Sequence, residues 1–235
     1  MSLHRDRPTP GTVMLHVVPV STSLSSHSSI PVPCSSKARF FKERDFVPPG
    51  TVLFQQGHPT VPQFRLSEGC IALSQTLANG RRQIVDIVGP GALVGIVLGD
   101  KNRMTAETLS YCHIERQHGD DVDKTYSAIC EAMKRIEAHT VLLGRKTAPE
   151  RVASAILDLS ERFSRPQRAH FESRVFNLYL GRGDLADWLG LSLETVSRCF
   201  TRFKRAGLID FDEPEIVTLL NTPALQAIAD GAASA

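Results

Sequence analysis

The chain has 235 residues, enough for one large domain or two modest ones. Its 27 Lys and Arg against 25 Asp and Glu leave a formal charge of +2. That balance excludes a protein basic over its whole surface but not a local basic patch. Hydrophobic residues at 42 % and charged residues at 22 % are sufficient for a buried core. No apolar run approaches the roughly 18 residues of a membrane span, so no membrane partner is expected. The five cysteines, Cys34, Cys70, Cys112, Cys130 and Cys199, are odd in number and hold no C-x-x-C pair, which favours a reducing, cytoplasmic compartment.

Residues 1–38 are expected to be a disordered tail, because the Ser/Pro-rich run from Ser21 to Ser36 cannot bury enough surface to offset its ordering entropy. The apolar stretch Val13 to Val20 is broken by His16 and Pro19 and leads into that run rather than a clean cleavage site, which argues against a signal peptide. Over residues 39–122, short apolar runs alternate with glycines. Strands are expected at Thr51–Phe54, Phe64–Leu66, Ile71–Gln75 and Gln83–Val88, with Asn79-Gly80 as a hairpin dipeptide whose two positions tolerate positive φ. This texture predicts a small β-barrel or jelly roll.

A helix is expected over 123–146. Tyr126, Ile129, Met133, Ile136, Thr140 and Leu143 recur at alternating steps of three and four, the a/d seam of a coiled coil, which points to a homodimer. A second domain is expected over 147–235. It opens with Thr147-Ala148-Pro149-Glu150, a capping-box pattern, and Val152, Ile156, Leu159 and Phe163 form the inner stripe of the helix that follows.

The stretch Gly181 to Ile209 carries the functional signal. A short helix over Asp184–Leu189 turns at Gly190, and Ser192 can cap a second helix running to Ala206. This is a helix-turn-helix. Val196, Phe200 and Phe203 would pin the second helix inward, while Glu194, Ser197 and Arg198 share an outer face near its N-terminal end. A recognition helix presents that end to the major groove, where Arg pairs with guanine O6 and N7 and Glu accepts from cytosine N4. Ser192, Thr195, Thr201, Arg202, Lys204 and Arg205 suit phosphates. The competing reading is a solvated face with a Glu194–Arg198 ion pair. Two short strands around Glu213-Pro214-Glu215 complete a winged helix, and Thr222-Pro223 starts a last helix. The expected fold class is therefore α+β: an N-terminal β-roll, a long dimerisation helix and a C-terminal winged helix-turn-helix. Between Arg145 and Asp210 cations outnumber acids, so the near-neutral total conceals a basic head.

The stretch LSLETVSRCFTRFKRAGLI, with its E-x-x-S-R signature, resembles the recognition helix of the Crp–Fnr transcription regulators, specifically the FixK-like branch. Asn102 to Glu107 is also similar to that branch, and the resemblance spans most of the chain beyond residue 38. It implies a homodimer that binds double-stranded DNA at a TTGA-type inverted repeat, recruits RNA polymerase and is not an enzyme. Glu194, Ser197 and Arg198 match the base-reading positions of that family. Docking of such dimers on two half-sites is a stock example of the motif.

Family β-rolls can hold a cyclic nucleotide, an iron–sulfur cluster, haem or no ligand. The turn Gly91-Ala92-Leu93-Val94-Gly95 lacks the Glu of a nucleotide clamp, and no Arg-Ser pair follows it. Only Cys34 lies in the tail, short of the roughly four thiolates a cubane needs. His16, His27, His58, His113 and His118 leave haem open. A cupin-like metal enzyme would have only His58 and Glu68 to work with in this region. No cofactor is expected, and activity is expected to follow abundance. Cys199 is either a small core residue or a redox-sensitive thiol whose pKa Arg198 and Arg202 would lower.

Overall fold

A computed structural model describes residues 44–97, 99–117, 122–164, 174–211, 213 and 215–232. The expected tail over 1–38, with Cys34, His16 and His27, and also His118, lie outside the described residues. Eight strands come first: β1 (Arg44–Val47), β2 (Val52–Phe54), β3 (Phe64–Glu68), β4 (Ile71–Thr76), β5 (Arg82–Val88), β6 (Leu93–Val94), β7 (Thr105–Thr108) and β8 (Cys112–Arg116). They form two antiparallel four-stranded sheets, ordered β1-β8-β3-β6 and β2-β7-β4-β5. Inward residues of both sheets, among them Leu66, Ile71 and Ile114, are fully buried. The four strands expected from apolar runs are present. The others are short: β1 and β6 hold few apolar residues, and β7 and β8 alternate buried with more exposed positions, as in Thr105-Ala106-Glu107-Thr108, so no long apolar run marks them.

The β4–β5 turn differs from the expected Asn-Gly geometry. Within this turn only Gly80 has positive φ, at 82°, and among the described residues no non-glycine does. Gly80 N donates to Leu77 O at 2.9 Å and Leu77 N to Arg81 O at 2.9 Å. This is a turn closed by a left-handed glycine, the three-residue hairpin solution, in which Asn79 keeps negative φ and accepts from Arg81 N instead.

The helix α1 (Val122–Arg145) has 24 residues, which gives a rod of about 36 Å. None of its residues is buried, and Tyr126, Met133, Ile136 and Thr140 of the predicted seam stand exposed, while Ile129 and Leu143 are half-buried. The next helix, α2 (Ala148–Arg162), begins where the capping pattern predicts: Thr147 N donates to the Glu150 carboxylate at 3.0 Å. Val152, Ile156, Leu159 and Phe163 are its buried stripe. The remaining elements are β9 (Arg174–Asn177), α3 (Arg182–Leu189), α4 (Leu193–Arg205), β10 (Ile209–Asp210), β11 (Ile216–Leu219) and α5 (Thr222–Ala229). Strands β10, β11 and β9 form the wing sheet.

One apolar core crosses the expected division at residue 147. Cys70, Ala72, Ile84 and Ile87 of the roll cluster with α2, α3 and α4 residues such as Ile156, Leu189 and Phe200. Residues 39–235 group as one compact unit. The division therefore marks a change of element type, with continuous packing beneath it.

Candidate nucleic-acid interface

Local chemistry builds the two-helix unit. Gly181 N donates to the Asp184 carboxylate at 3.3 Å, which caps α3. The helix ends at Gly190, where φ is 61° and a Cβ would be strained. Leu191 N then donates to Ala186 O at 3.1 Å and closes the turn. Ser192 Oγ accepts from Thr195 N at 3.1 Å, the N-cap of α4. Val196, Cys199, Phe200 and Phe203 face inward and are buried. The helix is thereby held on one side with its other side free.

That free side carries the predicted base-reading set. Glu194, Ser197 and Arg198 lie opposite the buried stripe near the N-terminal end, with Arg198 Nη2 2.6 Å from Glu194 Oε1. The ion pair of the competing reading is therefore formed, at a surface position where it leaves both groups available to solvent. Arg202 and Arg205 are exposed in the last turn.

The expected phosphate contacts divide. Ser192 and Thr195 hydroxyls meet each other at 2.8 Å, so the cap engages both. Thr201 Oγ1 donates to Ser197 O at 2.9 Å, within the helix. Lys204 turns toward the wing: its Nζ lies 2.7 Å from Asp210 Oδ1, donates to Phe211 O at 2.7 Å and stands 4.5 Å over the Phe211 ring. This contact holds the Asp210 carboxyl below the usual carboxylate range. Lys204 therefore braces the wing to α4 in the free protein, which the run of cations in sequence did not reveal.

Three residues were missed at the sequence level. Leu193, at the first position of α4, is exposed beside Glu194, and only the helix start defines that placement. Arg182 holds its guanidinium carbon 3.5 Å over the Phe200 ring and 5.5 Å from that of Phe211, and burial lowers its pKa. Trp188 is buried against His139 of α1. None of these contacts has a sequence period.

Cys199 packs as the first of its two expected readings describes. It is 7 % exposed, and burial pushes its thiol up, with the Arg202 charge the smaller, opposing influence. Desolvation outweighs the neighbouring charge, so the thiolate that a redox role needs is disfavoured. The geometry is that of a packing residue.

A β-roll, a long helix with an uncovered apolar stripe, and a winged helix-turn-helix with a basic outer face define a DNA-binding transcription regulator. Residues 44–127 match the cyclic nucleotide-binding domain and residues 150–228 the Crp-like helix-turn-helix domain. The chain belongs to the Crp–Fnr family and is FixK-like within it. It is 33 % identical to the transcriptional activator protein FnrA of Stutzerimonas stutzeri over 79 % of this chain and 80 % of that one. It is 28 % identical to the nitrogen fixation regulation protein FixK of Azorhizobium caulinodans, covering 92 % of this chain and 97 % of the other. The solved structure of FixK2 from Bradyrhizobium japonicum superposes with a TM-score of 0.70 at 27 % identity, over 82 % of this chain and 98 % of that one. These relatives are regulators, and the chain is not an enzyme.

A wide cavity of about 780 Å³ lies between the roll and α1, with Arg65, Gly91, Ala92, Leu93, Ser127 and Arg135 in its walls. A smaller one has a volume of about 220 Å³ and mostly apolar walls, with Phe54, Leu73, Val88, Val94 and Ile136. Its charged walls are Arg103 and the pair Asp86–Arg135, in which Arg135 Nη2 donates at 2.8 Å to a carboxylate that it already neutralises. For the haem alternative, His58 lies in a turn and the His113 ring is tilted 57° to that of Phe46 at 4.9 Å; among the described residues no group of three or more metal-ligating side chains forms.

Proposed function

We propose that the chain is a homodimeric transcription activator of the cytoplasm that reads a TTGA-type inverted repeat and brings RNA polymerase to the promoter. The observation that carries the reading is α4 itself: a helix pinned by Val196, Phe200 and Phe203 whose free face presents Glu194, Ser197 and Arg198 together, with Arg202 and Arg205 following. Arg198 pairs with a guanine and Glu194 with a cytosine, which are the two bases of the G·C pair of TTGA. Arg202 and Arg205 neutralise phosphates. Two such helices on a symmetric dimer match an inverted repeat.

The dimer is supported by the exposed apolar residues Tyr126, Met133 and Ile136 on α1, a narrow stripe that packing within one protomer leaves uncovered. Activation is supported by the activator named among the relatives. The reading includes no cyclic nucleotide, since the turn Gly91-Ala92-Leu93-Val94-Gly95 lacks the Glu of a nucleotide clamp, and no redox control at Cys199, since its thiol is buried and shifted upward.

The test is selection of bound duplexes from a random DNA pool, with and without reductant, followed by transcription with purified RNA polymerase from a promoter bearing the selected site. The expected result is an inverted repeat with TTGA half-sites, unaffected by reductant, that raises transcription. Recovery of no common sequence would refute the reading.

A further inference from the structure

We propose that Arg82, on the β4–β5 hairpin of the roll, is a positioning residue for DNA recognition that fixes the angle of the head and so the half-site spacing the dimer accepts. Its guanidinium bridges two carboxylates of α3 at once, the first helix of the DNA-reading unit. Nε donates to Asp187 Oδ2 at 2.8 Å, and Nη2 pairs with Asp184 Oδ1. Nη1 lies 3.6 Å from Glu107 Oε2 on β7, so the same side chain is tied back to the roll. The four side chains are 25–36 % exposed, so solvent screens them less than a surface pair.

Neighbouring contacts hold the same helix. Gln83 Nε2 donates to Trp188 O at 3.2 Å. From α1, the His139 ring stacks on Trp188 with centroids 5.6 Å apart and planes 8° from parallel. Beneath them, Ile84 and Ile87 share the core of Leu185 and Leu189. None of Arg82, Gln83, Asp187 and His139 lies on the outer face of α4. They act through α3, on which α4 rides by way of the short Gly190 turn and the Leu191–Ala186 hydrogen bond.

The consequence is geometric. A helix-turn-helix dimer reads two half-sites about 34 Å apart, so a rotation of each head about its own roll changes the separation of the recognition helices. A forked Arg bond to two residues one helical turn apart resists such rotation, because both carboxylates must keep their places for both bonds to survive. The roll thus sets the spacing, while α4 sets the base sequence.

This inference rests on the dimeric DNA-binding reading above, and its test separates the two. Full-length wild type, Arg82→Gln and Asp187→Asn are titrated with an inverted TTGA repeat at the wild-type spacing. The same titrations use duplexes whose spacer is longer or shorter by one base pair, and duplexes with one half-site base changed. For Arg82→Gln, affinity at the wild-type spacing is expected to fall about 2- to 30-fold, the range of such couplings. The loss is smaller on the altered spacers, so spacing preference flattens while base discrimination is retained. Asp187→Asn shows the same pattern more weakly and carries the test if Arg82→Gln does not fold. The double variant falls no further than Arg82→Gln alone. Spacing preference unchanged in a folded variant, equal loss on all spacers, or tighter binding would overturn the clamp and leave the DNA reading standing. A wild type indifferent to the TTGA sequence would overturn both.

Discussion

Replacing Arg198 by Ala separates base reading from a surface ion pair, because the structure assigns very different magnitudes to the two. Arg198 Nη2 meets Glu194 Oε1 at 2.6 Å, but the side chains are 78 % and 71 % exposed. Exposed i,i+4 pairs on a helix contribute about 0.3–0.5 kcal/mol. In a chain of this size that corresponds to about 1–2 °C in the melting temperature. Neither residue belongs to the buried stripe of Val196, Cys199, Phe200 and Phe203, so truncation opens no cavity. If Arg198 instead holds a guanine through two hydrogen bonds, its loss costs about 1–3 kcal/mol of discrimination, or roughly 5- to 150-fold in affinity. The assay is competition binding of wild type and Arg198→Ala to the TTGA repeat and to the set of duplexes with each half-site base changed in turn, beside thermal melts of both proteins. The expected outcome is a near-unchanged melt, a large loss on the intact repeat and a flattened response at the guanine alone. A loss spread evenly over all duplexes would refute the base-reading role. A melting temperature lowered by more than about 4 °C would refute the assignment of the ion pair as a minor contact.

Three other outcomes follow from particular contacts. Arg205→Ala weakens binding on every duplex and reduces the salt dependence by about one counterion, whereas Lys204→Ala changes that slope less, since Asp210 and Phe211 O already occupy its ammonium; salt titrations of both variants compare the two. Met133→Glu, at an exposed seam position of α1, converts the dimer to monomer in sedimentation analysis without lowering the helical signal in circular dichroism. Burial holds the His139 imidazole below its ordinary value of 6.5, against the opposing pull of Asp86 and the Trp188 carbonyl and with Arg162 adding to it. The unfolded chain therefore binds the proton first as pH falls, so stability is full above about pH 6.5 and declines from there toward the depressed native value. Urea midpoints of wild type should accordingly drop more between pH 7.5 and pH 5.5 than those of His139→Gln, and equal drops would contradict that placement.

The parts of this molecule legible in its sequence are those governed by local rules. Thr147 and Glu150 start α2, Gly190 ends α3, and Ser192 starts α4, because a cap or a left-handed turn depends on residues within four positions of it. The three- and four-residue steps of Val196, Phe200 and Phe203 locate the buried side of α4, and Glu194, Ser197 and Arg198 follow as its free side. Strands β2, β3, β4 and β5 were readable from apolar runs, while β7 and β8 were not, since two inward residues in a short polar strand leave no pattern.

What the tertiary structure decided are the places where distant segments compete for the same group. Lys204 reads as one more phosphate contact until the wing brings Asp210 to within 2.7 Å of it. Cys199 has arginines beside it in sequence, but burial among neighbouring elements outweighs them and raises its thiol. Arg82 and Asp187 are 105 positions apart, and no local rule links a hairpin of the roll to a helix of the head. The charge of +2 shows the same limit: sequence located an excess of cations near α4, and only the fold determined which of them face outward and which are already engaged. Local geometry is encoded by neighbours in the chain, whereas the environment of a charge depends on everything packed around it, and that is known only once the chain has folded.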